Sequence, residues 1–458
     1  YGNTSFLVPT TTTDDRGAFR LSRIEPGTYV VVAPSTQTTV PVTVMNTLDA
    51  RALQLQLFRL GVMETPPLGH HRTQQMGDFA LLTMNSVLIP PAPASDQLQV
   101  YRTTYYPSAT TAAAATPVTL AAGEERAGLS ITLRPTPAVR VSGRFVAPDG
   151  SPPPPIPIRL VGEPATDVTM ASMPNGPAEI GLETVTGISD AGGRFTLLGV
   201  PPGQYVLRSS DRFLSAAAQQ GEAYWFEQRV SVGTVDVQDV TVSLRPALRV
   251  EGRFEFSGVN GPQGPPPEVR VLGVVFEAAS GGPDRFAAPM NRDTLAFSTL
   301  AAGGRYIVSA NELGGWFVKS VTLDGNDITD RGFDLRADTS LVITYTDRPS
   351  KVSGIVKDAR GNVSATAIVV AFPVDREHWS DYGESPRRLK SALTTREGVY
   401  TFAHLPPGDY HVVAIADAAF DDWMDPRTLE VLSARATKLT VAAGDAPRTL
   451  DLTLRTTR

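Results

Sequence analysis

The sequence predicts an all-β protein, a tandem array of about four β-sandwich domains with one short helix in the last. Three observations predict it. A hairpin motif, an acidic turn leading to an aromatic residue and then Pro-Gly-x-Tyr, is written four times in 458 residues, the third time degenerately. The copies return every ~100 residues, the size of one sandwich domain. Within each copy apolar and polar residues alternate, the period of a strand with one buried face.

Each complete unit opens on a strand. Val139-Arg-Val141-Ser-Gly143-Arg-Phe145, Leu248-Arg-Val250-Glu-Gly252-Arg-Phe254 and Ser350-Lys-Val352-Ser-Gly354-Ile-Val356 share a glycine at one register. The hairpin follows: Asp15…Phe19…Pro26-Gly27-Thr28-Tyr29, Asp190…Phe195…Pro201-Pro202-Gly203-Gln204-Tyr205, Asp293…Phe297…Gly303-Gly304-Arg305-Tyr306 and Glu397…Tyr400…Pro406-Pro407-Gly408-Asp409-Tyr410. Proline presets φ at the first corner of the turn, and the glycine before x-Tyr is expected to take a positive φ. A third alternating strand closes each unit: Leu129-Ser-Ile131-Thr-Leu133, Val240-Thr-Val242-Ser-Leu244, Leu341-Val-Ile343-Thr-Tyr345 and Leu450-Asp-Leu452-Thr-Leu454. The opening glycines lie 109 and 102 residues apart and the later tyrosines 101 and 104, so two independent rulers agree on one period.

These marks divide the chain into domains 1–135, 136–247, 248–348 (the degenerate copy) and 349–458. Closing and opening strands almost touch, through short proline-bearing links such as Leu133-Arg-Pro-Thr-Pro-Ala138 that restrict hinge motion. In the last domain Asp425 as N-cap, Pro426 at the first position, and Leu429 and Leu432 on one stripe predict the helix. The first domain has two anomalies. Its opening strand would fall before residue 1, which we read as processing, incomplete sequence or a strand donated by another molecule. Tyr29 is also 104 residues from Leu133, against 39 and 44 in the second and fourth domains, which places an insertion at about 62–117.

Val352-Ser-Gly354-Ile-Val356, Asp190-x-x-Gly193-x-Phe195 and Pro201-Pro-Gly203-x-Tyr205 resemble the carboxypeptidase regulatory-like domain, and the resemblance spans nearly the whole chain. It implies a seven-stranded prealbumin-like (Ig-like) sandwich, grouped with carbohydrate-binding-like folds, in a bacterial protein that is secreted, periplasmic or cell-surface. It implies no activity, because such domains accompany many unrelated functions. The reading is a non-catalytic structural and interaction protein of rigid tandem domains, binding a protein partner or copies of itself. The alternatives are a carbohydrate-binding protein using loop aromatics, or an accessory region of a larger surface receptor or enzyme.

A net charge of −6 with 19% charged residues gives no electrostatic reason to expect nucleic acid or an anionic membrane. No apolar run is long enough to span a bilayer. Without cysteine there are no disulfides, thiol nucleophiles or thiolate metal sites. His70, His71, His378, His404 and His411 fall in no zinc-binding pattern, and no nucleophile elbow or phosphate-cradling loop occurs. Accordingly no catalytic, cofactor or metal residue is assigned. Asp324-Gly-Asn326-Asp327…Asp330 has the oxygen content of a calcium loop but not its spacing, and reads as a hydrogen-bonded acidic turn. His404 and His411 are expected to be exposed or half-exposed. The candidate interaction residues are Phe79, Leu81, Leu82 and Met84 in the insertion, Tyr105 and Tyr106, and the loop aromatics Trp225 and Trp379. Like Trp316 and Trp423, the latter two either plug sandwich ends, anchor a protein or stack on sugar. The first domain is expected to make the principal contact, since a missing strand and an insertion would leave unshared apolar surface. The competing expectation is that the insertion folds back on its own sandwich.

Overall fold

Alternation along the repeats becomes pairing between them. The computed structural model describes residues 11–24, 26–46, 72–83, 97–111, 114–162, 185–209, 214, 223–258, 261–262, 273–279, 285–310, 315–348, 350–380, 382–383, 386–416, 423–442 and 447–454. They form a multi-domain β-sandwich. In the second repeat the opening strand Val139–Val146 lies between the hairpin strand Arg194–Val200, antiparallel, and the closing strand Val237–Ser243, parallel. The other layer runs Glu227–Val232, Gly203–Arg208, Pro157–Gly162, Val185–Ile188. Phe145, Phe195, Leu197, Tyr205, Leu207, Phe226 and Val242 fill the space between the layers. Burying one such large side chain contributes roughly 1.5–3 kcal/mol.

The third and fourth repeats are built alike. Leu248–Gly258 pairs in parallel with Thr339–Thr346, and Lys351–Lys357 with Arg448–Thr449 and Leu452–Thr453. Their second layers are Arg285–Pro289, Gly273–Ala278, Gly304–Ala310, Phe333–Leu335 and Lys390–Leu393, Ala367–Pro373, Gly408–Ala416, Thr437–Val441. In the fourth repeat this second layer is buried on both faces. One face meets the sandwich core, and the other is covered by the helix Pro426–Ser433 with Trp379 and Trp423. Asp425 caps that helix by accepting from the Arg427 amide at 2.7 Å.

The hairpin motif has a physical reading that differs from its local one. Gly27, Gly203 and Gly304 are not in the left-handed region. Each lies instead beneath the ring of the tyrosine two residues on, where a Cβ would come within 3.1–3.3 Å of it. Tyr205 and Tyr410 donate their hydroxyls to the carbonyls of Pro201 and Pro406, both at 2.7 Å, which ties the corner shut. Among the corner glycines Gly408 alone has the expected positive φ, at 152°. Positive φ is found instead in the preceding turn, at Gly17, Gly193 and Gly398. In the degenerate copy Leu295 takes that place at φ 54°, a conformation that costs a non-glycine residue about 1–2 kcal/mol. The turn acceptors are Asp14 and Asp190, whose carboxylates each take two backbone amides, so Asp15 is not the residue that closes the first turn.

The chain divides by contact into two compact units, one holding the first two repeats and the other the third and fourth. In the former, Gln37–Pro41 adds in parallel to Val185–Ile188 of the second repeat. Phe79–Thr83 and Arg72–Met76 then add beyond it, giving a seven-stranded sheet. Thr38 and Thr186 share a hydroxyl hydrogen bond of 2.9 Å across the seam, and the Thr39 hydroxyl accepts from the Leu198 amide at 2.9 Å. The hairpin of the expected insertion is therefore an extension of the second repeat's sheet, not a flap on its own sandwich.

Among the described residues the first repeat has three short strand pairs of its own. Gly27–Tyr29 pairs with Val118–Leu120, Val32–Ala33 with Thr104–Tyr105, and Gln99–Tyr101 with Pro135–Pro137. Residues 18–22 and 124–134, which align with paired strands in the other repeats, join no ladder.

Candidate functional site

A cleft between the third and fourth repeats gathers charged side chains from both. Glu277, Asp330, His378, Tyr382, Arg387 and Arg388 line it. Arg388 donates from Nε to the Asp330 carboxylate at 2.9 Å and from Nη1 to the Pro407 carbonyl at 2.8 Å. Arg387 reaches the other Asp330 oxygen at 3.5 Å and donates to the Val318 carbonyl at 2.8 Å. One carboxylate from the third repeat is thus held by two guanidinium groups from the fourth. With Glu277 the lining balances two negative charges against two positive ones, so the cleft offers no net charge to an ionic ligand. Burial and the facing Arg388 and Arg331 hold the His378 pKa below its ordinary value, keeping the imidazole neutral. The same joint packs His404 against Phe317, ring centroids 3.7 Å apart and the planes tilted by 35°, and pairs Arg331 with Asp375 at 3.7 Å.

The acidic stretch read as a hydrogen-bonded turn is the turn of a hairpin. Asp324 and Gly325 both have positive φ and link Thr322–Leu323 to Asn326–Asp327, the geometry of a two-residue type I′ turn. Its later carboxylates are already occupied: Asp327 accepts from the Thr329 amide and Asp330 belongs to the joint. Among the described residues no three His, Asp or Glu side chains gather as a metal cage. No helix among them is long and apolar enough to cross a membrane.

The candidate interaction residues scatter, and several are corrected. Leu81 and Leu82 are 0% and 2% exposed, with Leu81 packed on Leu98 and Leu198 and Phe79 half-buried beside it. The second repeat has absorbed the apolar surface that the insertion was expected to display. Tyr105 is buried opposite Val32, and Tyr106 is half-buried. Met84, His70 and His71 lie outside the described residues. Trp379 is 4% exposed, donates its indole N–H to the Pro373 carbonyl at 2.8 Å, and packs against Phe372. Trp316 and Trp423 are likewise interior, so these three rings plug the fold instead of presenting a platform. Trp225 is half-buried, with the Arg245 guanidinium 5.0 Å over its ring. His411, expected at the surface, is buried against Phe372 because the helix covers that face. Burial and Lys438 lower its pKa.

No protein-family model matches the chain, and no curated protein matches it. Among solved structures, the TIE protein of Bacillus anthracis is 9% identical over 82% of this chain, with a TM-score of 0.16. The chain spans 61% of that protein's length. A streptococcal ancillary pilin is 10% identical over 69% of this chain and 99% of its own, with a TM-score of 0.21. The major pilin subunit of Bacillus cereus is 11% identical over the same shares, 69% and 99%, with a TM-score of 0.16. Superpositions this loose carry no argument to this chain. Its architecture rests on the strand pairings described above.

Proposed function

We propose that the chain is a non-catalytic structural and interaction protein of the exported or cell-surface type, built of tandem carboxypeptidase regulatory-like domains. In this reading it holds its third and fourth sandwiches as a stiff pair and engages a protein partner or further copies through its first repeat. The observation that carries it is the joint. Two arginines of the fourth repeat, 18% and 24% exposed, converge on one aspartate of the third, and Arg387 also donates to the third repeat's Val318 carbonyl, so any swing of one sandwich against the other breaks several charge-assisted contacts at once. An array that needed to flex would leave such a joint hydrated.

The absence of cysteine makes the test direct. Spin labels at Ser340→Cys and Thr401→Cys, both exposed strand positions, report the distance between the two sandwiches in the intact chain. The expected result is one narrow distance distribution that broadens when Asp330→Asn is added. A broad distribution before that substitution would overturn the stiff-pair reading.

A further inference from the structure

In each of the three later repeats the opening strand and the closing strand are partners that run in the same direction. Val139–Val146 lies parallel to Val237–Ser243, Leu248–Gly258 to Thr339–Thr346, and Lys351–Lys357 to Arg448–Thr449 and Leu452–Thr453. This orientation decides what a pull along the chain does. Tension enters a repeat at the beginning of its opening strand and leaves at the end of its closing strand. In a parallel pair those two points lie at opposite ends of the ladder. The strands are drawn past one another, and every bond between them is loaded at once. In an antiparallel pair the same two points would lie side by side, and the bonds would open one after another.

The surroundings of the pair reinforce it. The opening strand is interior to its layer, bonded on its other side to the hairpin strand, so sliding it strains a second ladder as well. The shared glycine brings the two backbones into contact. A Cβ on Gly143, Gly252 or Gly354 would overlap the carbonyl oxygen of Val240, Leu341 or Leu450 on the closing strand. The connections leave little slack: only residues 244–247 separate the second repeat's closing strand from the third's opening strand, and only 347–350 separate the third's from the fourth's. We infer that these three repeats are tension-bearing modules, each clamped by shear between its opening and closing strands. Their task is to stay folded while the chain is pulled from its two ends. This rests on the structural role proposed above but on none of the contacts of the joint. The clamps are unequal. In the third repeat eight successive residue pairs share the load, from Val250 with Thr339 to Ser257 with Thr346. The second has five pairs, with a register shift between Val141 and Gly143. In the fourth the ladder is split into two pairs and two, and across the gap the Asp451 carboxylate accepts from the Ile355 amide at 3.0 Å. The third repeat is therefore expected to hold to the highest force and the fourth to give way first.

The test is forced unfolding of the intact chain between handles attached at introduced cysteines, which the absence of native cysteine makes specific. Arg249→Cys with Arg348→Cys pulls the third repeat's ladder from opposite ends, in shear. Arg249→Cys with Ala337→Cys pulls the same ladder from one end, so that it peels. All three positions are exposed or half-exposed. Forced unfolding reads the unfolding rate along the pulled direction, whereas equilibrium stability has no direction. Urea midpoints of the two double variants are therefore expected to agree while their yield forces do not. At one pulling rate the shear pair is expected to yield at no less than twice the force of the peeling pair. Lys351→Cys with Thr453→Cys, which loads the fourth repeat in shear, is expected to yield at a lower force than the third repeat's shear pair. A yield force that is the same in both directions would overturn the inference. So would a fourth repeat that outlasts the third, because the parallel ladder would then not be what carries the load. The spin-label distance across the joint enters none of these measurements, so failure here and failure of the stiff-pair reading are distinguishable.

Discussion

At Gly143, Gly252 and Gly354 the closing strand's carbonyl and the hairpin aromatic approach so closely that no side chain fits. These are contact glycines, not turn glycines, so their substitution acts through the folded core. Gly143→Ala is expected to cost about 3 kcal/mol in urea unfolding, since backbone on one side and a ring on the other must shift. Gly233→Ala, where a Cβ meets nothing within 4 Å, is the matched control and should stay within about 0.5 kcal/mol. The tyrosine corners give a gentler probe. Burial raises the Tyr410 pKa, so its phenol stays protonated and donates to the Pro406 carbonyl. Tyr410→Phe should lose about 1 kcal/mol, the net worth of one buried hydrogen bond.

At the scale of elements, the fourth repeat shows how a short helix changes a sheet. Pro426–Ser433 places Leu429 and Leu432 against Ile368, Val370, Val413 and Ile415, so both faces of Ala367–Pro373 become interior. Leu429→Ala, at a site 0% exposed, should cost about 3 kcal/mol through lost burial and the cavity left behind. Two histidines sense acid, His411 beneath that covering and His378 in the cleft between the third and fourth repeats. His378 and His411 have folded pKa values below the ordinary one, chiefly from burial, with Arg388 and Arg331 adding at His378 and Lys438 at His411. Asp375 and Asp330 oppose this at His378, and Glu430 does so at His411. The unfolded chain then binds protons first on acidification. Stability is complete above the ordinary histidine pKa of about 6.5 and is lost as pH falls through it toward the lower folded values. Urea midpoints should drop between pH 7.5 and 5, and the drop should shrink in a His378→Gln, His411→Gln double variant.

At the scale of the molecule, what distinguishes this chain from a string of independent beads is sharing across repeat boundaries. In one unit a sheet runs from the second repeat into Gln37–Pro41, Phe79–Thr83 and Arg72–Met76, and in the other a salt bridge closes the joint. Asp330→Asn keeps the residue's shape and its tolerance of a positive φ, here 57°, but takes from two guanidinium groups the carboxylate they share. We expect a loss of about 2 kcal/mol, below the ~3–5 kcal/mol of a fully buried pair because these groups retain some water. A double-variant cycle with Arg388→Gln measures the coupling. Additivity would show that the pair contributes nothing to the joint.

Period-two alternation, the glycine at one register of each opening strand and the Pro-Gly-x-Tyr corner depend on neighbours a few residues away. The sequence by itself therefore determined the strands and hairpins of the three later repeats and the Asp425-capped helix. It could not say why Gly203 is glycine, because that reason is the ring of Tyr205 folded over it. Nor could it tell that Leu81 is spent inside the molecule, since Leu198, part of the cluster that buries it, lies more than a hundred residues on. Arg387 and Arg388 look in sequence like any exposed basic pair, and only tertiary structure brings Asp330 between them. Local patterns record what a residue needs from its own strand. Which distant surface answers that need is decided when the sheets pack.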